Sequence, residues 1–424
     1  MKKTKFLSRL GPGLITGISD NDPSGIATCA QSGAKFGFGQ LWSVLLMVPL
    51  MVAIQEICAR IGAVKNKGIA SIIQKYYGNK ILIPLAILLF TANTINLGAD
   101  LGAMSASLSL IIPVNNIFAL SFFTLVILFS IIYFPYKKYV QILKWLCLFI
   151  LVYPVSLFIV KTPWLELIKS TFIPGITFST DYFMMLTALF GTSISPYMFI
   201  WQASQEAEEN HRMKIPQSNG LARISNVRLY SLRKDNFIGM VLSQICTWSI
   251  IAVIAITLHT HGIQNINTAA DAAKALEPIV QGFPYAGYIA KFIFSLGVIG
   301  LGLLGVPVLA ISSSYALTII FNRKTGLFHD FNEAKWFYGI IILSTLIGLA
   351  MNLLKINVIK ALIVSAVINC IVALPLIIII LLIANNKKIM QQFTNTLLSN
   401  VFGWLTFFLM AFSTCLMFYS FFSS

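Results

Sequence analysis

Charge is scarce in this chain. Only 10% of its 424 residues are Asp, Glu, Lys or Arg, while 57% are hydrophobic; soluble domains carry roughly a quarter charged residues. That scarcity excludes a sizeable soluble domain and marks an integral membrane protein. Cysteine is thin as well. The six, at 29, 58, 147, 246, 370 and 415, stand singly in apolar surroundings with no Cys-x-x-Cys spacing. They read as core residues, not as a disulfide frame or a thiolate metal site. Of the four histidines, His259 and His261 in "HTHG" read as residues of a solvated loop rather than a metal pair. Short alternating apolar segments are absent, which excludes a membrane β-barrel. No short apolar stretch with a small-residue cleavage site follows "MKKTKFLSRLGPG", so the first span is read as retained.

Long apolar runs fill the rest. Eleven approach the ~20 residues that a bilayer core requires, at about 11–35, 41–64, 80–110, 116–134, 139–160, 182–204, 237–258, 284–321, 336–353, 357–384 and 398–421. The chain is therefore expected to be an all-α membrane protein of eleven spans. Its net charge of +16 invites a nucleic-acid partner, but position explains the charge better. With the N-terminus inside, the inner segments hold most of the Lys and Arg, from Lys2, Lys3 and Lys5 to Lys387 and Lys388. The outer segments hold Lys35, Lys161, Lys169, Lys274, Lys355 and Lys360, and Lys291 lies within a span. Such a skew is the positive-inside pattern. It implies a bilayer and no nucleic acid as partner, in the plasma membrane (the inner membrane of a bacterium), with the C-terminus outside. The sequence leaves the oligomeric state open, and a monomer is compatible with it.

Two spans are interrupted, the first at "DNDPSG" and the sixth at "GTSISPY". Proline removes a backbone donor and clashes with the preceding turn, while glycine and serine tolerate unwound backbone. At membrane depth such backbone survives only when buried in protein or lining a cavity. Gly17-Ile-Ser19 leading to Asp22-Pro23 is echoed by Gly191-Thr-Ser193 leading to Ser195-Pro196. An offset of five spans inverts the second copy. This predicts one transmembrane unit over 1–424, with repeat one at about 11–160, repeat two at about 182–384 and an extra helix at about 398–421. Paired broken helices in an inverted repeat point to a secondary transporter with its site at the midplane.

A carboxylate at the bilayer centre is costly unless paired or hydrated, so it marks function by default. The first span has no lysine or arginine in its membrane depth to neutralise Asp20 and Asp22. An uncompensated acid beside freed carbonyls suits a hard cation. Asp22, immediately before Pro23, is the expected ligand; Asp20 either lines the inner vestibule or caps the broken half-helix. Thr192 and Ser195 offer hydroxyls and carbonyls at the second break. Ser195, Phe199, Gln202, Glu206 and Glu209 fall near one helical face, as an exit path for a cation or as the start of a solvated helix end. In "ANTINLGADLGA", Asn93, Asn96 and Asp100 share a face that is expected to line the aqueous path. Glu56 precedes Arg60 by one turn, so a local ion pair accounts for it.

"GPGLITGISDNDPSGIATCAQSGAKFGFGQLW" at 11–42 resembles the first span of the Nramp divalent-metal transporters, where Gly-Pro-Gly leads to an Asp-Pro-Gly-Asn break. The span number and topology agree with that family along the whole chain. The resemblance implies a LeuT-like fold, transport of manganese or ferrous iron usually with protons, and no cofactor beyond the transported ion. The departures are specific. Gly-Asn becomes Ser24-Gly25, Met-Pro-His becomes Ser195-Pro196-Tyr197, the third-span acids correspond to Asn96 and Ala99, and a sixth-span histidine becomes Gln202. Thioether sulfur favours softer metals and oxygen-only sites suit Mg2+, Ca2+ or Mn2+. Mg2+ dehydrates reluctantly and keeps several waters. The lost acids and histidines also remove proton carriers.

The pattern therefore resembles the Nramp-related magnesium transporter branch. It implies import of hydrated Mg2+, and Mn2+, by alternating access without obligatory proton coupling. Asp22 is the anchor, with oxygen contacts from the Ser19 and Thr192 carbonyls and the Ser195 and Gln202 side chains; Asp20, Asn96, Asp100 and Glu206 line the path. The rivals are a proton-coupled Mn2+/Fe2+ importer, an organic-solute carrier of the same fold, and an intramembrane aspartyl protease using Asp22 and Asp100. An enzyme is not expected, because neither acid stands in Gly-x-Gly-Asp.

Overall fold

The computed structural model describes residues 11–134, 136–218, 220–274, 285–354 and 357–423. The basic segment at 1–10, part of the outer loop at 275–284 and Lys355 lie outside the described residues. Among the described residues the regular structure is helical, apart from a two-residue antiparallel ladder between Gln217–Ser218 and Leu221–Ala222. The first span is two helices, α1 (Pro12–Ser19) and α2 (Pro23–Phe36). There follow α3 (Leu41–Lys65), α4 (Ile69–Tyr77), α5 (Asn79–Ser109), α6 (Asn116–Tyr133) and α7 (Tyr136–Ile159), the last passing through a 3-10 turn at Cys147–Leu151. A short α8 (Trp164–Phe172) precedes the broken sixth span, α9 (Thr180–Ser193) and α10 (Pro196–Arg212). The chain closes with α11 (Asn226–Thr257), α12 (Ala269–Lys274), α13 (Ala286–Ile320), α14 (Lys335–Met351), α15 (Val358–Asn385), α16 (Lys387–Met390) and α17 (Leu397–Ser423).

Each predicted span has a helical counterpart. Among the described residues nine helices are long and apolar enough to cross a bilayer. The other two predicted spans fall short for stated reasons: the first is cut into pieces of 8 and 14 residues, and α14 has 17.

The two breaks share one construction. At the first, Asp22 is the N-cap of α2 in extended backbone, its carboxylate accepts from the Gly25 N–H, and Pro23 takes the first helical position. At the second, Ser195 is the extended N-cap of α10, followed by Pro196. Proline there loses no helical hydrogen bond and is already set at a helical φ. Proline alone does not break a span, since Pro49, Pro84, Pro307 and Pro375 all lie inside continuous helices. A capping residue before the ring and small or polar residues around it make the difference.

The broken spans are also the most enclosed. The window through α9 and α10 is 94% buried, against 33% for α6, α7 and α17. Those outer helices present Phe118, Leu125, Phe129, Phe158 and Phe408 outward, as a lipid-facing surface should. Inside, helices approach at backbone distance. A Cβ on Gly17 of α1 would lie 2.3 Å from the Gly239 carbonyl of α11, and one on Gly62 of α3 would lie 2.1 Å from the Ala203 carbonyl of α10. Small residues of this kind are how membrane helices pack without a hydrophobic drive between them. The helix ends rich in Lys and Arg gather at one end of the bundle, where Lys65 donates to the Ile389 carbonyl at 3.2 Å and Asn210 to the Ala63 carbonyl at 2.7 Å. Glu56 pairs there with Arg60 at 3.1 Å, as expected, and also with Arg233 at 3.0 Å.

Gly62→Val forces a branched side chain into the Ala203 backbone, beyond the ~1–3 kcal/mol of ordinary overpacking. Thermal melting of the detergent-solubilised variant is expected to show a clear loss of stability, and an unchanged midpoint would refute this contact.

Candidate functional site

Asp22 is 1% exposed at the junction of α1 and α2. Its Oδ1 accepts from the Gly25 N–H at 2.9 Å; its Oδ2 accepts from Asn96 Nδ2 at 3.2 Å and from the Tyr197 hydroxyl at 3.4 Å. All three donors are neutral. Tyr197 donates more closely to the Ser19 carbonyl, at 3.0 Å, so one phenol touches both sides of the first break from the start of α10. Thr192, 5% exposed, donates to the Asp20 carbonyl at 3.4 Å, and thereby joins the two breaks directly. Gly25 is required here: a Cβ would stand 2.4 Å from the Asp20 carbonyl.

The third span supplies the next layer. Asn96 Oδ1 accepts from Ser365 Oγ of α15 at 2.8 Å, and Asp100 Oδ1 accepts from the Ser24 N–H at 3.0 Å. Asp100 Oδ2 is buried and has no hydrogen-bond partner among the described residues. Asn93 instead donates to Ser313 Oγ of α13 at 3.0 Å. Of the predicted face, Asn96 and Asp100 therefore reach the break, while Asn93 bonds a neighbouring helix.

Several expectations change. Asp20 stands at the C-cap of α1 and its side chain turns to α11, where Oδ2 accepts from Ser243 Oγ at 2.7 Å and from Gln244 Nε2 at 3.4 Å. The Ser195 hydroxyl turns back, donating to the Gly191 and Thr192 carbonyls at 2.6 and 2.7 Å, because the last carbonyls of α9 lack helical donors and Pro196 has no N–H to offer. The Ser19 and Thr192 carbonyls thus each accept one hydroxyl and keep a second lone pair. Gln202 accepts from Thr16 of α1 and donates to Glu206 Oε1 at 3.2 Å. Glu206 is 1% exposed and pairs with Arg228 at 2.6 Å, so it is no solvated helix end. Glu208 is also buried, held by Tyr315 at 2.7 Å and the Leu327 N–H at 2.9 Å. Glu209 alone has the helix-end setting, paired with Arg212 at 2.5 Å. His259 is docked against the end of α2, its Nδ1 2.8 Å from the Ala34 carbonyl.

Cavities lie on both sides of this layer. One of about 240 Å³ reaches from Pro23 past Ala27, Ala103 and Ser107 to Asn267 and Thr268. At the basic end, a polar cavity of about 270 Å³ is lined by Lys67, Ser204, Glu208, His211 and His329 among others. Between the break and the basic end stand Tyr197, the Thr16–Gln202 contact and the Glu206–Arg228 pair.

Sequence reasoning named Tyr197 only as a departure from a family motif and missed Ser365, Ser243, Gln244 and Arg228. For Tyr197 the signal was its place directly after the second break; for Ser243, Gln244 and Ser365 it was their polarity within apolar spans.

A helical bundle with two enclosed, broken spans and oxygen-rich groups at their junction defines a secondary transporter of the LeuT-like fold. The crystal structure of the Eremococcus coleocola manganese transporter in complex with an aromatic bis-isothiourea compound superposes with a TM-score of 0.76, at 15% identity, covering 98% of this chain and 86% of that one. MhsT in complex with L-phenylalanine gives a TM-score of 0.61 at 12% identity, covering 96% and 98%. The model of the natural resistance-associated macrophage protein-like (Nramp) family matches residues 13–420. The divalent metal cation transporter MntH of Caldanaerobacter subterraneus subsp. tengcongensis is 25% identical over 411 residues, covering 94% of this chain and 90% of the relative. That of Klebsiella pneumoniae is 24% identical over 409 residues, covering 94% and 91%. The chain belongs to the Nramp family, and it is an integral membrane transport protein rather than an enzyme.

Breaking a buried ion pair from one side costs about 3–5 kcal/mol because the other charge is stranded. Arg228→Ala is therefore expected to lower thermal stability strongly, and Glu206→Gln combined with Arg228→Ala to recover most of the loss. Equal loss in the single and double variants would show that the pair is not what matters there.

Proposed function

We propose that the protein imports divalent cations, Mg2+ together with Mn2+, by alternating access across the plasma membrane, with the N-terminus and the basic end cytoplasmic. The observation that carries the reading is Asp22: a buried carboxylate at a helix break, contacted only by neutral donors. A divalent cation would supply the missing positive charge. The Ser19 and Thr192 carbonyls, each with a free lone pair, would add oxygen contacts. Ser195 and Gln202, both engaged with neighbouring groups, would act through water. Asn96, Asp100, Asp20 and Glu206 would shape the polar surroundings of the path. Oxygen-only chemistry with few direct ligands suits a cation that keeps much of its water. The membrane potential could drive entry, at ~2.3 kcal/mol per charge per 100 mV.

The relatives' names support equally a second reading in which manganese is the cargo; in that reading protons would accompany the metal. Proteoliposome uptake of Mg2+, Mn2+ and Ca2+ with simultaneous recording of internal pH separates the two. The expected outcome is Mg2+ and Mn2+ uptake without matching acidification, falling to background in Asp22→Ala. Proton influx with Mn2+ and no Mg2+ uptake would favour the second reading. Undiminished uptake by Asp22→Ala would overturn both site assignments.

A further inference from the structure

On the outside of the bundle, α3, α11 and α17 enclose a groove of about 390 Å³ that the candidate transport site does not use. Its walls are apolar: Val52 and Ala53 of α3, Phe237 of α11, and Leu398 and Phe402 of α17. Phe237 and Leu398 are exposed beside it. The polar part of its lining is Glu56, Arg233, Thr396 and Ser399, at the basic end of the bundle. The Thr396 and Ser399 hydroxyls stand 3.0 Å apart there.

Charge at that end does not balance. Arg60, 3% exposed, is engaged at each nitrogen: Nε with Glu56 at 3.1 Å, Nη1 with the Phe393 carbonyl and Nη2 with Asn395 Oδ1 at 2.6 Å. It neutralises Glu56. Arg233 meets the same Glu56 oxygen through Nε alone, at 3.0 Å, and its side chain is 54% exposed. Its two Nη groups have no hydrogen-bond partner among the described residues. Two guanidiniums thus share one carboxylate, which leaves one positive charge beside an apolar groove. Asp235 does not answer it, because its carboxylate turns to α1 and accepts from the Gly11 and Gly13 N–H groups at 2.7 and 2.8 Å. Lys234 is exposed next to Arg233 and adds to the excess.

We infer that this groove holds an anionic phospholipid of the adjoining leaflet, one acyl chain lying along Phe237, Leu398 and Phe402 and the phosphate against Arg233. Such a lipid matches both halves of the site, an apolar wall and one unanswered positive charge. Guanidinium N–H groups suit phosphate oxygens in a fork, and basic pockets between membrane helices suit anionic headgroups. Val227 and Tyr230, exposed on the first turns of α11, mark the level, since aromatic side chains beside basic ones belong at the membrane–water interface. A soluble anion would leave the apolar walls uncovered, and a zwitterionic lipid brings its own cation to compete with Arg233. That the leaflet is the inner one rests on the orientation proposed above; the site itself does not. The lipid would bridge α3, α11 and α17. Because α11 packs on α1 at Gly17 and Gly239, occupancy bears on the half-helix that leads to the first break.

Thermal melting of delipidated full-length protein in detergent tests it, with dioleoyl phosphatidylglycerol, dioleoyl phosphatidylcholine or inorganic phosphate added. A ligand that binds only the folded protein raises the midpoint. Phosphatidylglycerol is expected to raise it, phosphatidylcholine to give less than about a third of that shift, and inorganic phosphate none. Arg233→Gln removes the charge, while Ala53→Phe fills the groove and keeps the charge. Each is expected to lose about three-quarters or more of the phosphatidylglycerol shift, and Ala53→Phe serves alone if Arg233→Gln does not fold. Lys324→Gln, at an exposed basic residue outside the groove, should keep it. Equal shifts with the two lipids would reduce the groove to an unselective lipid-facing surface, and an equal shift with inorganic phosphate would make Arg233 a soluble-anion site; either overturns the proposal. So does an undiminished phosphatidylglycerol shift in Arg233→Gln or Ala53→Phe. An equal loss in Lys324→Gln would trace the effect to overall charge and overturn it too.

Discussion

A carboxylate held in the middle of a membrane protein without a basic partner constrains everything around it. Asp22 is such a group, and its three donors are a backbone N–H, an amide and a phenol. None of them carries charge. Leaving an ion unpaired at that depth is expensive, so the surroundings must either supply polar contacts in number or admit a cation. The structure supplies neutral contacts from α2, α5 and α10, and in the reading proposed above a cation supplies the charge they lack. The broken backbone follows from the same constraint, because Asp22 caps α2 only where the helix restarts. The glycines follow too, since the chain can fold closely around that restart only where Gly25 and Gly17 carry no side chain.

The two breaks, the eleven spans and the buried acid at the first break were legible from sequence, because each is a local pattern. Proline after a capping residue, small neighbours and an acid without a lysine in reach are all visible within a few residues. What could not be read locally is which helix turns toward the break. Asp20 and Asp22 stand two residues apart, yet one faces α11 and the other faces α5 and α10. That divergence depends on the unwound backbone at Asp20–Asp22, where helical periodicity no longer assigns a face. Glu206 illustrates a second limit. Its place near a polar helix end suggested either a path or solvent, and its burial is settled by Arg228, which lies across the loop that follows α10.

The departures from the family motif are coherent in chemical terms. Where a thioether would stand, Ser195 presents a hydroxyl that is already bonded to the preceding turn. Where a histidine would follow, Tyr197 gives a phenol that binds the Ser19 carbonyl and Asp22. Both changes replace a direct soft or basic ligand with a group that organises the backbone. The result is a junction where Asp22 is met by neutral groups and no sulfur or imidazole contacts its carboxylate among the described residues.

The most direct test of the central claim is to locate the ion. Crystals of the full-length protein soaked with Mn2+ and measured near the manganese absorption edge are predicted to give an anomalous peak beside the Asp22 carboxylate and the Ser19 carbonyl, absent from Asp22→Ala crystals. A peak that persists in Asp22→Ala, or that lies away from the two breaks, would contradict the account.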